Sequence, residues 1–203
     1  MINKILDLKT MKTIKLLALI LCVTPLLVAC SDDDDNEPEI INAEEVITTL
    51  TLMLTPQGFG NPVIMQSQDL DGEGPDAPVI TVTGQVMTNT AYEGSVMVLN
   101  ELESPAENIT LEVLEEDDEH QFFYVVGGDV NGPTVEYTDF DGDLNPVGIE
   151  TLFLTGTDET SNTLTVILRH EPNKDGLGVS DGIIDNAGGE TDVEVVFNFT
   201  VSN

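Results

Sequence analysis

The chain's two histidines, His120 and His170, each stand among carboxylates, with Glu116 and Glu119 before the first and Glu171 after the second. Imidazole together with carboxylate is a donor set that suits zinc, and a nearby carboxylate can also orient each ring. The sequence separation of the two histidines carries no motif, so the expectation is a tertiary one. His120 and His170 should meet near Glu116, Glu119 or Glu171 and hold a transition metal. The second histidine lies in Arg169-His170-Glu171-Pro172-Asn173-Lys174, which also supplies Arg169 and Lys174 as candidate binding residues. A plainer role fits the same residues: Arg169 and Lys174 pair with surrounding carboxylates, and His170 is a hydrogen-bonded core residue at a sheet edge.

Asp139-Phe140-Asp141-Gly142-Asp143-Leu144-Asn145, followed by Glu150, offers different chemistry. Alternating carboxylates with an oxygen donor at the seventh place and a glutamate at the twelfth imitate a calcium loop, because such spacing wraps a hard cation. Asp139, Asp141, Asp143, Asn145 and Glu150 are therefore candidate calcium ligands. Leu144 stands where a calcium-binding helix–loop–helix needs glycine, Pro146 follows, and the flanks read as strands, so an EF-hand is disfavoured and an acidic β-loop site stays open beside a simple solvated turn. No catalytic residue emerges: Ser180 lies in no nucleophile elbow, and carboxylates are too abundant to single out a pair. The chain is not expected to be an enzyme.

These residues need a frame, and the frame reads as strands. Val46 to Thr55 alternates Leu50, Leu52 and Leu54 with Thr49, Thr51 and Met53, the period of a half-buried strand. Further strands follow at Val63–Gln68, Val79–Thr83, Tyr92–Leu99, Gln121–Val126, Thr134–Thr138, Glu150–Leu154, Thr163–His170 and Asp192–Val201. Alternation sets His170 on the inward face with Leu164, Val166 and Leu168. In the last strand Val193, Val195, Phe197, Phe199 and Val201 share a face. Tyr92, after the Asn89-Thr90 turn, is placed to bond back to an upstream backbone group, as in the tyrosine corner of Greek-key sandwiches. Ser104-Pro105-Ala106-Glu107 has the make-up of a capping box, predicting one helix from about Pro105 to Glu119. Its acidic end, Glu115 to Glu119, sits badly against the helix dipole, a penalty that a bound cation would remove. The 175–192 stretch, rich in glycine and acids, is a long connection or a binding loop. The fold expected is mainly β: an antiparallel β-sandwich of immunoglobulin-like or Greek-key type, with about eight strands and one inserted helix.

Ahead of the strands lies a targeting signal. Lys12 and Lys15 precede an apolar run from Leu16 to Leu27, and Leu27-Val28-Ala29-Cys30 is followed by Ser31 and four aspartates. The run is too short for the roughly 20 residues of a membrane span, so it reads as a cleaved signal. Met11 offers an alternative start. Leu27-Val28-Ala29-Cys30 resembles the bacterial lipobox, and with Ser31 to Asp35 it is similar to the export signal of surface-exposed lipoproteins of the Bacteroidota. The resemblance implies acylation of Cys30, removal of residues 1–29, and an outer-membrane lipid anchor facing the cell surface. A periplasm-facing lipoprotein whose aspartates solvate a linker carries the same residues. The remainder resembles small uncharacterised lipoproteins of that group through Glu119-His120-Gln121 and Arg169 to Lys174, which implies location and a compact domain but no activity. Accessory lipoproteins beside TonB-dependent transporters are frequent in these bacteria, so such a transporter is the partner implied.

The organisation expected is a signal peptide over 1–29, a lipidated cysteine and acidic tether over 30–45, and a domain over 46–203. The chain holds 38 acids against six basic residues, a net charge of −32, and four of those six, Lys4, Lys9, Lys12 and Lys15, leave with the signal. Nucleic acid is excluded as a partner, since phosphate binding depends on lysine and arginine. Cys22 would be cleaved off and Cys30 acylated, so disulfides, thiolate metal sites and cysteine catalysis fall away. The function expected is a lipid-anchored module that binds a ligand or partner, accessory to a transporter or engaged in metal capture. The alternative is a structural or adhesive surface protein stabilised by calcium.

Overall fold

The computed structural model describes residues 45–72 and 74–203. The signal segment, Cys30 and all of the predicted tether except Glu45 lie outside the described residues. No helix among the described residues is long and apolar enough to cross a membrane.

Ten strands and one helix follow in the order β1 (Thr49–Pro56), β2 (Val63–Gln68), β3 (Val79–Thr83), β4 (Val86–Met87), β5 (Ala91–Leu99), α1 (Ile109–Glu115), β6 (His120–Gly128), β7 (Thr134–Tyr137), β8 (Glu150–Leu154), β9 (Thr160–His170) and β10 (Glu190–Ser202). One sheet has six strands in the order β3-β2-β1-β5-β8-β7, and the other has four in the order β4-β10-β9-β6. Every pairing is antiparallel except the short β4–β10 contact, so the described residues form the expected antiparallel β-sandwich with one α-helix among them. β4 is the one strand that the sequence pattern leaves out, because two residues are too few to show a period.

The core follows from alternation. Leu50, Leu52 and Leu54 of β1, Val63 and Met65 of β2, and Tyr92, Val96 and Val98 of β5 face Phe122, Leu164, Val166, Leu168, Phe197 and Val201 of the smaller sheet in one cluster. Each large apolar side chain removed from water stabilises the fold by about 1.5–3 kcal/mol, which makes this frame stiff. The tyrosine reading holds: Met87 N–H donates to the Tyr92 hydroxyl at 2.7 Å, tying β5 to the backbone five residues upstream.

The helix is shorter than predicted. Residues 100 and 107 form an antiparallel bridge in which Asn100 and Glu107 exchange both backbone hydrogen bonds at 3.0 Å. Glu107 is therefore committed to a turn-like excursion and cannot serve as the third helical residue, so the capping box does not form. The helix starts after Asn108 and stops at Glu115. His120, expected at its end, instead opens β6.

The β9–β10 connection packs against the outer face of the smaller sheet. Val179 and Ala187 cover Phe123 and Ile167 there, which explains why Phe122 and Phe123 are both buried although they point to opposite faces. The connection is thus pinned at its middle, and its two ends, His170 and β10, are held side by side.

Candidate metal centre

β6 and β9 pair with His120 directly opposite His170. Both rings lie on the inward face at the end of the sheet, stacked with centroids 4.7 Å apart and planes inclined by 27°. The predicted meeting of the two histidines is thereby found, and two carboxylates that the sequence did not offer join it. Glu45, immediately ahead of β1, places Oε1 at 3.2 Å from His120 Nε2 and Oε2 at 3.8 Å from His170 Nδ1. Asp192 of β10 places Oδ1 at 3.8 Å from the same His170 nitrogen. Side-chain exposure is 0% for His120 and Asp192, 6% for Glu45 and 7% for His170, so four potential ligands share a chamber nearly closed to water.

Hydrogen bonding constrains the state of His120. Its Nδ1 lies 3.1 Å from the Glu116 backbone carbonyl. A carbonyl oxygen only accepts, so the hydrogen of a neutral ring must sit on Nδ1. That leaves a lone pair on Nε2 aimed at a carboxylate oxygen, which also only accepts. Two facing acceptors at this distance call for something between them: a proton carried by the ring or by the carboxyl, or a metal ion. A backbone carbonyl orienting one nitrogen while the other faces the ion is the usual support of a metal-bound histidine. The other oxygen of Glu45, Oε2, is buried and makes no hydrogen bond.

The distances are compatible with an ion. All four ligand atoms lie within 4.8 Å of one another. A tetrahedral zinc with bonds of about 2.0–2.1 Å separates its ligands by about 3.3 Å, so the contacts from 3.2 to 3.8 Å need only sub-ångström closure. The surroundings favour a cation as well. Burial, then the charges of Glu107, Glu45, Glu116 and Glu115, push the carboxyl of Glu112 above its ordinary range, the mark of a negative local field.

Two local devices create this arrangement. A β-bulge between Thr191 and Val193 breaks the β9–β10 register, so Thr191 faces Arg169 while Val193 faces Leu168. Strict alternation from Val193 would turn Asp192 outward; the bulge turns it in, beside His170. Gly189, at φ +69°, lets the chain pass against the His170 carbonyl, where a Cβ would come within 2.2 Å of the oxygen. Arg169 donates to the Gly189 carbonyl at 3.3 Å, securing this turn, which is what the structure shows it binding.

The predicted ligands Glu116, Glu119 and Glu171 lie outside this set of four. Glu116 contributes its backbone carbonyl to the site and leaves its side chain exposed. Glu119 and Glu171 form with His170 a second group whose ligand atoms again lie within 4.8 Å of one another. The calcium-loop residues do not converge: among the described residues neither metal-competent group includes any of them. Asp139 accepts backbone N–H bonds from Gly148 and Ile149, one on each oxygen. Asp141 accepts from the Asp143 and Asn145 N–H groups on Oδ1 and from the Lys174 ammonium on Oδ2, the last at 2.9 Å. Asp143 is exposed, Asn145 takes part only through its backbone in these bonds, and Glu150 is exposed at the start of β8. The charge expected of calcium is supplied from within the chain: Lys174 is buried and also donates to the carbonyls of Asp117 and Pro146. Burial pushes the carboxyl of Asp141 up, but its bonds from Lys174, Asn145 and Asp143 outweigh this and hold it below its ordinary value. Lys174 is therefore a structural cation, the plainer of the roles open to it.

The fold and the cluster together define an antiparallel β-sandwich with a buried two-histidine, two-carboxylate centre at one end. No family model, curated protein or solved structure matches the chain.

Proposed function

We propose that the protein is a lipid-anchored module of the outer-membrane surface that captures a transition-metal ion of the zinc type between Glu45, His120, His170 and Asp192. The observation that carries the metal reading is the His120 geometry, with Nδ1 given to the Glu116 carbonyl and Nε2 left facing Glu45. Two carboxylates offset the double charge of the ion, and the two imidazoles supply the softer donors that favour zinc over calcium. The location rests on the likeness of Leu27 to Asp35 to a lipobox with an acidic export signal. A metal-capturing module held at that membrane would serve an outer-membrane transporter, the partner that a co-purification from solubilised membranes would recover. Binding here involves no bond-making in a substrate, and the protein is read as a non-enzyme.

Thermal unfolding of the detergent-solubilised full chain tests the metal reading. Zinc at 100 times its Kd should add about 2.7 kcal/mol, or about 5–10 °C in Tm for a domain of this size. His120→Ala should abolish that shift. An unmoved Tm in zinc would overturn the proposal.

A further inference from the structure

The inner chamber poses a problem of access. Its four ligand side chains are between 0% and 7% exposed, while a divalent ion arrives with a shell of water that it must shed. One ligand leads outward. His170 belongs both to the inner group and to the second group with Glu119 and Glu171, so a single imidazole is common to both. Glu171 is exposed and Glu119 is accessible to solvent. The backbone joins these two acids directly: Glu171 N–H donates to the Glu119 carbonyl at 2.7 Å, and Glu171 adopts a left-handed φ of +48°, which non-glycine residues seldom take. Both acids thus group with the one ring that also faces Glu45 and Asp192.

We infer that Glu119, Glu171 and His170 form an outer station through which a hydrated divalent transition-metal ion enters, exchanges water for ligands, and passes to the inner centre. The inference rests on the metal-capturing role of that centre. Carboxylates suit the first step because they bind a hydrated ion and release it readily. The shared ring suits the second, since an ion held by His170 in the outer group already has one ligand of the inner centre. Charge at a cleft mouth raises association rates by about 10–1000-fold, so the outer acids act on rate.

A group that lowers the barrier but is absent from the resting site must change association and release equally. The test is stopped-flow zinc binding and zinc release to a chelator, with the detergent-solubilised full chain and its Glu119→Gln/Glu171→Gln variant. Glu115→Gln/Asp118→Asn, which neutralises two neighbouring exposed acids, is the control for the general field. The expected result is that the first variant loads and releases zinc at least about tenfold more slowly with Kd unchanged, while the control keeps wild-type rates. Wild-type rates in the first variant would overturn the inference and leave the inner centre standing. Faster release with weakened Kd would also overturn it, because Glu119 and Glu171 would then be ligands of the resting site. Equal slowing in the control would do the same by assigning the effect to overall charge. Failure of the wild-type chain to bind zinc would instead remove the reading on which the inference rests.

Discussion

Lys174 shows how a single residue can decide between two chemistries. The loop around Asp141 has the carboxylate spacing of a calcium site, yet its oxygens bond to backbone N–H groups and to this ammonium. Spacing left a calcium site and a solvated turn both open, because it reports which groups could converge; the structure adds a distant lysine that brings positive charge to the loop. Leu144 takes a left-handed φ of +69° at the place where a calcium loop has glycine, so the backbone makes the same sharp turn with a side chain that strains it. Lys174→Met should cost about 3–5 kcal/mol by stranding the Asp141 carboxylate, as chemical denaturation at neutral pH would show. The sign of the pH dependence follows from the depressed carboxyl of Asp141. Its contribution is complete above the ordinary value of 3.8 and is lost as pH falls through its lower folded value. The stability gap between wild type and Lys174→Met should therefore narrow in acid. A gap that is constant down to acid unfolding would contradict this pairing.

The elements explain which half of the metal centre the sequence could disclose. His170 was legible because Leu164, Val166, Leu168 and His170 alternate cleanly along β9, which gave its inward face in advance. His120 was legible as a residue but fell between the predicted helix, ending at Glu119, and the predicted strand, starting at Gln121, whereas it opens β6. A helix predicted to Glu119 stops at Glu115, since the Asn100–Glu107 bridge uses the backbone of the intended cap. Asp192 was hidden by a bulge, which reverses the face that alternation assigns. Glu45 was hidden by composition, because it ends an acid-rich run, broken by Pro38, that reads as tether. The turn that sets Asp192 beside His170 depends on Gly189. Alanine there places a Cβ against the His170 carbonyl at a φ that side chains rarely adopt. Gly189→Ala should destabilise the domain by about 1–3 kcal/mol and weaken zinc binding by about 10–100-fold. Unchanged affinity, measured by competition with a chelator, would show that the β9–β10 turn does not shape the centre.

At the scale of the molecule, the sandwich was legible throughout, since strands of period two separated by glycine and proline turns leave few other architectures. The candidate centre lies at the end where β1 begins, built from Glu45 before β1, the start of β6, the end of β9 and the start of β10. It therefore adjoins, in sequence, the segment proposed to carry the lipid anchor. If Cys30 is acylated, the wild-type protein should fractionate with membranes, and Cys30→Ala should release it to the soluble fraction. Membrane association that survives Cys30→Ala would contradict the anchor. The charge balance of the chain agrees with a cation as its cargo, but the many exposed acids would bind any divalent ion weakly, so affinity alone is a poor witness. The direct measurement is X-ray absorption at the zinc edge of the solubilised, zinc-loaded full chain. The expected spectrum has one zinc per chain, with nitrogen and oxygen ligands at about 2.0–2.1 Å and the scattering of two imidazoles, one of them lost in His120→Ala. A zinc ringed by oxygen alone would show that the ion sits among surface carboxylates and that the buried histidines hold none.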